Sequence, residues 1–396
     1  MKIHLIGLDD NREQHFSPEV NELIARQHFF SGGVRHYEIM KPYLPARHTW
    51  VPITVPLDNV FSQYEGADEI VIFASGDPLF FGFGNTVLRR LPDADVKLYP
   101  YFNSLQLLAH RLLLPYQDMH IVSLTGRPWQ KLDEALIMGY EKIGVLTDNK
   151  LHTPSTIAAR LLEYGYDNYR IAVGELLGNS EKERVTEWNL DEVVGKSFEY
   201  PNNLILQRTR ERARPFGIPE GDFHLLNGRA KMITKMPIRL LSMSMLDLRY
   251  RKVFWDVGFC TGSVSIEAKL QFPHLQIISF EKRPEGEKLL QDNASLFGTP
   301  GIEGVIGDFS ELDLSDYPAP DAVFIGGHGG KMAEIMKQIA SRLKDGGNIV
   351  FNSVSEQSRQ MFIDALEPNG LKLTASTLIK IDDHNIIEVM KAEHKN

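Results

Sequence analysis

The segment Trp255-Asp256-Val257-Gly258-Phe259-Cys260-Thr261-Gly262-Ser263-Val264-Ser265-Ile266-Glu267 restricts the fold more than any other stretch of the chain. Residues 252–257 read as a short buried strand, and the polar start and apolar spacing from Ser263 to Leu270 predict an amphipathic helix. The glycines between them then occupy a strand-to-helix turn. There, glycine permits positive φ and a close backbone approach, and the free N–H groups at the helix start face whatever lies above the strand. The G-x-x-x-G spacing is neither the dinucleotide G-x-G-x-x-G nor the phosphate-cradling G-x-x-x-x-G-K-[ST], so the turn by itself does not define a ligand.

The residues that follow narrow the choice. Residues 275–280 form a second strand candidate, and Glu281 lies roughly 20 residues beyond Gly258, where a carboxylate ending strand two binds ribose hydroxyls. A third strand over 302–306 ends in Gly307-Asp308, and a fourth runs from Asp321 to Gly327. All end in a polar residue or glycine on one edge of a parallel sheet, the edge at which open α/β sheets hold ligands. Asp-x-Gly, an acidic end to strand two and Gly-Asp after strand three make the pattern of S-adenosylmethionine enzymes; the competing reading is a set of glycines that only allows close packing. After the loop Gly326-Gly327-His328-Gly329-Gly330 a helix runs to Leu343 and stops at Asp345-Gly346-Gly347. Strands from Asn348, Leu371 and Asn385 then complete a seven-stranded sheet whose last two strands form a hairpin.

Upstream, strands and helices alternate in a second α/β unit. Strands are expected over 3–8, 29–33, 69–74, 96–100, 120–124, 142–148, 169–175 and 203–206, with helices opening at Ser17-Pro18 and spanning 104–114 and 154–164. A length of 396 residues accommodates two or three domains, and 43% hydrophobic with 24% charged residues supplies a core in each. No apolar run approaches the roughly 18 residues of a membrane span, and the start of the chain reads as a strand with a turn, not a signal peptide, so a cytoplasmic location is expected. Cys260 is the only cysteine, which excludes an internal disulfide and a cysteine-cluster metal site. The early histidines lack ligand spacing and read as surface or core singletons; no resident metal is expected. A net charge of −9 argues against nucleic acid as the main partner.

At Ser75-Gly76-Asp77-Pro78-Leu79-Phe80-Phe81-Gly82-Phe83-Gly84 the chain resembles the tetrapyrrole (corrin/porphyrin) methylase family, in particular its cobalamin-pathway branch acting at C5. Ser123 to Pro128, Leu146-Thr147-Asp148 and Glu175-Leu176-Leu177-Gly178 are further matches in order. From Arg214-Pro215-Phe216-Gly217-Ile218-Pro219 through Ile233-Thr234-Lys235 to Asp256-Val257-Gly258, it is similar to the second half of fused, bifunctional corrinoid methyltransferases of vitamin B12 biosynthesis. Essentially the whole chain is covered. Three loops depart from the family pattern: Gly7 to Arg12, Pro100 to Ser104, and Cys260 in place of a glycine, where a side chain crowds the cofactor or shifts the loop.

The resemblance implies a two-lobed tetrapyrrole methylase domain at 1–206 (lobes about 1–112 and 113–206), a linker at 207–228 and a Rossmann-like methyltransferase domain at 229–396. It implies S-adenosylmethionine as cofactor, a precorrin or cobalt-precorrin macrocycle as substrate, and a homo-oligomer. The first half would methylate C5; the second would methylate C15 and decarboxylate the C12 acetate. Gly76, Asp77, Pro78 and Phe81, with Ser104 and Glu175 as neighbours, would form the first cofactor cleft. Gly258, Phe259 and Gly262 would approach the methionine part of the second cofactor, Glu281 its ribose and Asp308 its adenine, with Gly326 and Gly327 flooring the substrate side. His328 would steer a carboxylate or move a proton, or is incidental in its loop. Arg208, Arg210, Arg212 and Arg214 read either as a strip for substrate carboxylates or as a solvated linker. Two other functions remain open: a non-catalytic corrinoid-binding scaffold, and a methyltransferase for another acceptor such as RNA, which the acidic charge disfavours.

Overall fold

A strand that begins at residue 2 and carries six successive buried residues sets the first sheet. A computed structural model of the chain describes residues 1–228, 232–381 and 386–395. Residue 229, the expected start of the second domain, and Asn385, the expected start of the last strand, lie outside the described residues. Two compact units account for the described chain: one takes in Met1–Arg127, Tyr140–Ala159 and Tyr169–Arg210, the other Pro128–Gly139, Arg160–Asn168 and the residues from Glu211 onward.

In the first unit, β1 (Lys2–Leu8), β2 (Phe29–Gly32), β3 (Thr49–Pro52), β4 (Glu69–Ser75) and β5 (Asp95–Tyr99) form a sheet of order β3-β2-β4-β1-β5, parallel throughout. Its register sets Gly7 beside Ala74 and Leu8 beside Ser75, so the chain leaves β1 and β4 at the same level. A second sheet combines β6 (His120–Ser123), β7 (Lys142–Leu146), β8 (Tyr169–Glu175), β9 (Arg184–Asn189) and β10 (Asn202–Arg208) in the order β6-β7-β10-β8-β9, with β10 antiparallel to both neighbours. Ser17 caps the helix Pro18–Arg26 by accepting the Val20 N–H, and the helix Ser104–Arg111 starts from an exchange of hydrogen bonds between Asn103 and Gln106. That helix stops short of the expected Leu114, and Leu113 turns to a φ of 50°. The edge strands β3 and β9 carry too few buried residues to stand out in the sequence.

The second unit is one seven-stranded sheet of β11 (Val253–Val257), β12 (Gln276–Glu281), β13 (Ile302–Ile306), β14 (Ala322–Ile325), β15 (Asn348–Ser353), β16 (Leu371–Ile379) and β17 (Ile387–His394). Its order is β13-β12-β11-β14-β15-β17-β16; the first five strands are parallel, and β17 runs antiparallel to β15 and β16 as the expected hairpin. This is the α/β, Rossmann-like sheet the sequence pattern implies. Alternation along β11 feeds two cores: Trp255 packs with Ile278, Val323 and Ile349 on one face, Phe254 with Ile277, Phe324 and Val350 on the other. Strand order reverses at β11, which opens a crevice above its carboxyl end.

One expectation fails. The helix Ser263–Gln271 is not amphipathic, because every residue from Ser263 to Leu270 is buried. Its polar members are bonded internally: Ser265 Oγ donates to Asp256 Oδ2 at 2.6 Å, Glu267 accepts Arg239 Nε at 3.0 Å, and Lys269 Nζ donates to the carbonyls of Pro273 and Leu275. Arg212 is half-buried and Arg214 exposed, and both bond backbone carbonyls. Arg212 donates to the carbonyls of Tyr164 and Leu296, and Arg214 to those of Leu270 and Gln271, so both guanidinium groups cap helix ends.

Candidate functional site

The first unit holds a cleft of about 640 Å³ at the carboxyl ends of β1 and β4. Gly76 lines it and packs closely on Gly7: a Cβ on Gly7 would fall on the Gly76 carbonyl, and one on Gly76, which has a φ of 59°, would meet Asn103 Cα at 2.8 Å. Of the residues singled out from sequence, Gly76, Phe81 and Ser104 line this cleft. Phe81 has a φ of 53°, a strained conformation for an aromatic residue, and its half-exposed ring lies 5.3 Å from the Arg127 guanidinium. Asp77 and Pro78 build the turn beneath it: Asp77 Oδ1 accepts the Leu79 N–H at 2.9 Å and the Pro78 carbonyl accepts the Gly84 N–H at 3.0 Å. Glu175 lies outside the lining. Its buried carboxylate is held by Arg184 at 2.5 and 2.7 Å and by the Glu199 N–H at 2.7 Å.

The opposite wall carries residues that no sequence motif identified. Arg35 Nη1 pairs with the buried Asp10 at 3.1 Å, and Asp10 also accepts Asn179 Nδ2 at 3.1 Å. Burial draws the His36 imidazole down to a pKa of about 4, so the ring is neutral. Its Nδ1 accepts the Gly33 N–H, which leaves the proton on Nε2 to bond Ser75 Oγ at 3.0 Å. Ser75 Oγ also accepts Arg35 Nη2 at 2.8 Å. With two donors on its oxygen, the Ser75 hydroxyl hydrogen is available to the cleft. The pair Gly32-Gly33 before Arg35-His36 is the only sequence signal of this wall.

In the second unit a cleft of about 870 Å³ sits above β11. Gly258 has a φ of 78°, and a Cβ there would meet the Gly327 N and O at 2.8 and 2.9 Å, so the loops after β11 and β14 touch backbone to backbone. Gly258, Glu281, Asp308, Gly326, Gly327 and His328 all line the cleft. Phe259 and Gly262 do not; they support it from below, Phe259 as a buried side chain and Gly262 as the helix cap at a φ of 73°. Cys260 takes the lining position, adopting a φ of 52° as a glycine would, and burial pushes its thiol up to about 11. The neutral thiol does not serve as a nucleophile at neutral pH.

Glu281 Oε2 accepts the Cys260 N–H and Oε1 the Arg283 N–H, both at 3.0 Å, which fixes the carboxylate at the end of β12. Hydrogen bonds from Ser310 and then the Lys331 ammonium at 3.0 Å hold Asp308 down to a pKa of about 2. Burial lowers the His328 pKa, and its Nδ1 accepts the Gly330 N–H at 3.2 Å, so the neutral ring carries its proton on Nε2. Beneath the turn, Asp256 is fully buried and desolvation lifts its pKa to about 7.

An open parallel sheet with an oriented carboxylate at the end of its second strand, and no phosphate-binding loop among the described residues, accommodates a nucleoside, and with the second, two-lobed cleft the molecule is defined as a two-module S-adenosylmethionine-dependent methyltransferase. Known proteins narrow this further. The family model described as tetrapyrrole (corrin/porphyrin) methylases matches residues 5–194, and that described as precorrin methyltransferase domain matches residues 227–389. A precorrin-6Y C(5,15)-methyltransferase [decarboxylating] from Sinorhizobium sp is 31% identical over 382 residues, 96% of this chain and 89% of the relative. A cobalt-precorrin-6B C(15)-methyltransferase (decarboxylating) from Salmonella typhimurium is 35% identical over 133 residues, 34% of this chain and 68% of the relative. The crystal structure of a precorrin-6y C5,15-methyltransferase from Geobacter metallireducens GS-15 aligns at 31% identity over 47% of this chain and 100% of that one, with a TM-score of 0.43. The chain belongs to the precorrin-6Y C(5,15)-methyltransferase (decarboxylating) family.

Proposed function

We propose that this chain transfers two methyl groups from S-adenosylmethionine to a precorrin or cobalt-precorrin macrocycle in cobalamin biosynthesis. The first unit methylates C5; the second methylates C15 and releases the C12 acetate carboxyl as carbon dioxide. The observation that carries this reading is the pair of separate clefts, each lined by a glycine turn at the carboxyl ends of parallel strands. When bound, the cofactor supplies a methyl group already activated by a sulfonium centre. The protein's task is then to position, exclude water and tune hydrogen bonds, with no nucleophile or metal of its own required.

In the second unit Glu281, oriented by two backbone N–H groups, accepts the ribose hydroxyls, while the touching backbones at Gly258 and Gly327 leave room only for a slim chain. Asp308 remains ionised at any working pH and accepts donors on the base. His328, neutral with Nε2–H outward from its Nδ1 bond, donates to a substrate carboxylate and holds the acetate for cleavage. In the first unit Gly76 and Ser104 receive the cofactor, the Phe81 ring offers a flat face to the macrocycle, and Ser75 donates to a carboxylate on its rim. Because Cys260 adopts the glycine-like conformation, its loop still forms the cleft, which favours catalysis over a scaffold role. A cytoplasmic homo-oligomer is part of the same proposal, and light scattering checks the assembly.

Incubation with the purified tetrapyrrole precursor and S-adenosylmethionine tests the assignment. The expected product has gained two methyl groups and lost one carboxyl group. A product with both methyl groups but its carboxyl retained would overturn the role of the second unit, and an unmodified pigment would overturn the whole.

A further inference from the structure

Strand β10 carries two consecutive asparagines in opposite situations. Asn202 is fully engaged: its Oδ1 lies 2.7 Å from the Thr147 hydroxyl, and its Nδ2 donates to the Glu199 carbonyl at 2.8 Å. Asn203 is only 1% exposed, yet neither its Oδ1 nor its Nδ2 has a hydrogen-bond partner. Buried side-chain amides are nearly always bonded, and leaving both ends open is rare. The residue lines the cleft of the first unit. Alternation along the strand puts it on the face of Ile205, which packs with Leu105, Leu107 and Leu108. Leu107, Leu146 and Leu177 line the same cleft, so the open amide sits within an aliphatic surround.

We propose that Asn203 reads the adenine ring of the methyl donor in the first unit, an inference that rests on this cleft being a donor site. A carboxamide presents one acceptor and one donor side by side. Adenine offers the complement, an exocyclic N–H donor next to a ring-nitrogen acceptor, and asparagine meets that edge with two parallel hydrogen bonds. The aliphatic residues around the amide suit the faces of a flat base. The macrocycle fits the position poorly: its rim groups are carboxylates, which satisfy only Nδ2, and its ring nitrogens lie at the centre of a wide disc that does not reach a side chain this deeply buried. Asn203 is thus a specificity residue that reads the N6/N7 edge of adenine and distinguishes it from its hypoxanthine counterpart, which presents two acceptors on that edge, O6 and N7, that no orientation of the amide satisfies together.

The test uses the full chain with S-adenosylhomocysteine and S-inosylhomocysteine as probes. Hydrogen–deuterium exchange of peptides spanning 103–112 and 202–208 reports the first cleft, and peptides spanning 255–262 report the second as an internal control. In the wild type, the first cleft is expected to favour the adenine probe by about tenfold to a hundredfold. Asn203→Leu and Asn203→Ala should erase that preference and leave the second cleft unchanged. Asn203→Leu should also raise the unfolding temperature of the unliganded protein, because it replaces an open buried amide with an apolar group. A wild-type preference that persists in both variants overturns the inference while the donor-site reading stands. A fall in the unfolding temperature of Asn203→Leu also overturns it, since the amide would then have a structural bond. Absence of any protection of the first-cleft peptides by S-adenosylhomocysteine overturns the donor-site reading itself.

Discussion

Replacing Gly258 with alanine isolates the most constrained contact in the second cleft. Two costs follow from the structure. The φ of 78° is left-handed, which costs an alanine about 1–2 kcal/mol. The new Cβ also meets backbone atoms of Gly327 at 2.8, 2.9 and 3.2 Å, and forcing apart two packed backbones adds about 1–3 kcal/mol. The sum is about 2–5 kcal/mol. If half of it falls on the cleft, cofactor binding in the second unit weakens by about fivefold to seventyfold. Gly346 supplies the control: its φ is 72°, but a Cβ there has nothing within 4 Å, so Gly346→Ala carries the dihedral cost alone. Single-turnover mass spectrometry should show Gly258→Ala accumulating a pigment with one added methyl group and its carboxyl intact, while Gly346→Ala yields the full product. Equal unfolding temperatures for the two variants, with the second methylation unimpaired in Gly258→Ala, would refute the reasoning.

Other perturbations address the remaining groups. Glu281→Gln keeps the size of the side chain but removes its charge, so binding of S-adenosylhomocysteine at the second cleft should weaken by about 1–3 kcal/mol in calorimetry, with the first cleft unaffected. Arg239→Met strips the partner from Glu267, which is also fully buried, and should lower stability by about 3–5 kcal/mol in urea titration. His36 has a pKa depressed from 6.5 to about 4, so its contribution is complete above pH 6.5 and is lost as the pH falls towards 4, by at most about 3 kcal/mol. The urea midpoint of the wild type should therefore drop more between pH 7 and pH 4 than that of His36→Asn. His328→Ala should slow carbon dioxide release while leaving the first methylation unchanged; equal rates of both steps would remove its assigned role.

Much of the second unit was legible because its strands are short runs of buried apolar residues with glycine or acid at their ends, as at Val257-Gly258 and Phe280-Glu281. The helix after Gly262 misled, since the polar residues Ser265, Glu267 and Lys269 suggest exposure to water although each is bonded inside the protein. Spacing also could not tell which residue of the turn faces the cleft: Cys260 does, whereas Phe259 and Gly262 support it. In the first unit the turn at Gly76 announced itself by composition. Arg35, His36 and Asn203 did not, because their positions in the cleft arise from strand pairing and neighbouring loops, which leave no local pattern. Glu175 looked like a site residue for its motif, and only its pairing with Arg184 and the Glu199 N–H shows where the carboxylate goes.

The helix Ser263–Gln271 has a consequence for how such a chain varies. With no position from Ser263 to Leu270 open to water, none is free to drift alone. Glu267 is tied to Arg239 and to the N–H groups of Gly217 and Ile218, and Ser265 to Asp256 and Ser279. Substitution there should succeed in matched sets, with a change on the helix answered by one on the strand or loop it touches. Among distant relatives, this turn of chain should therefore evolve in steps of two or three residues.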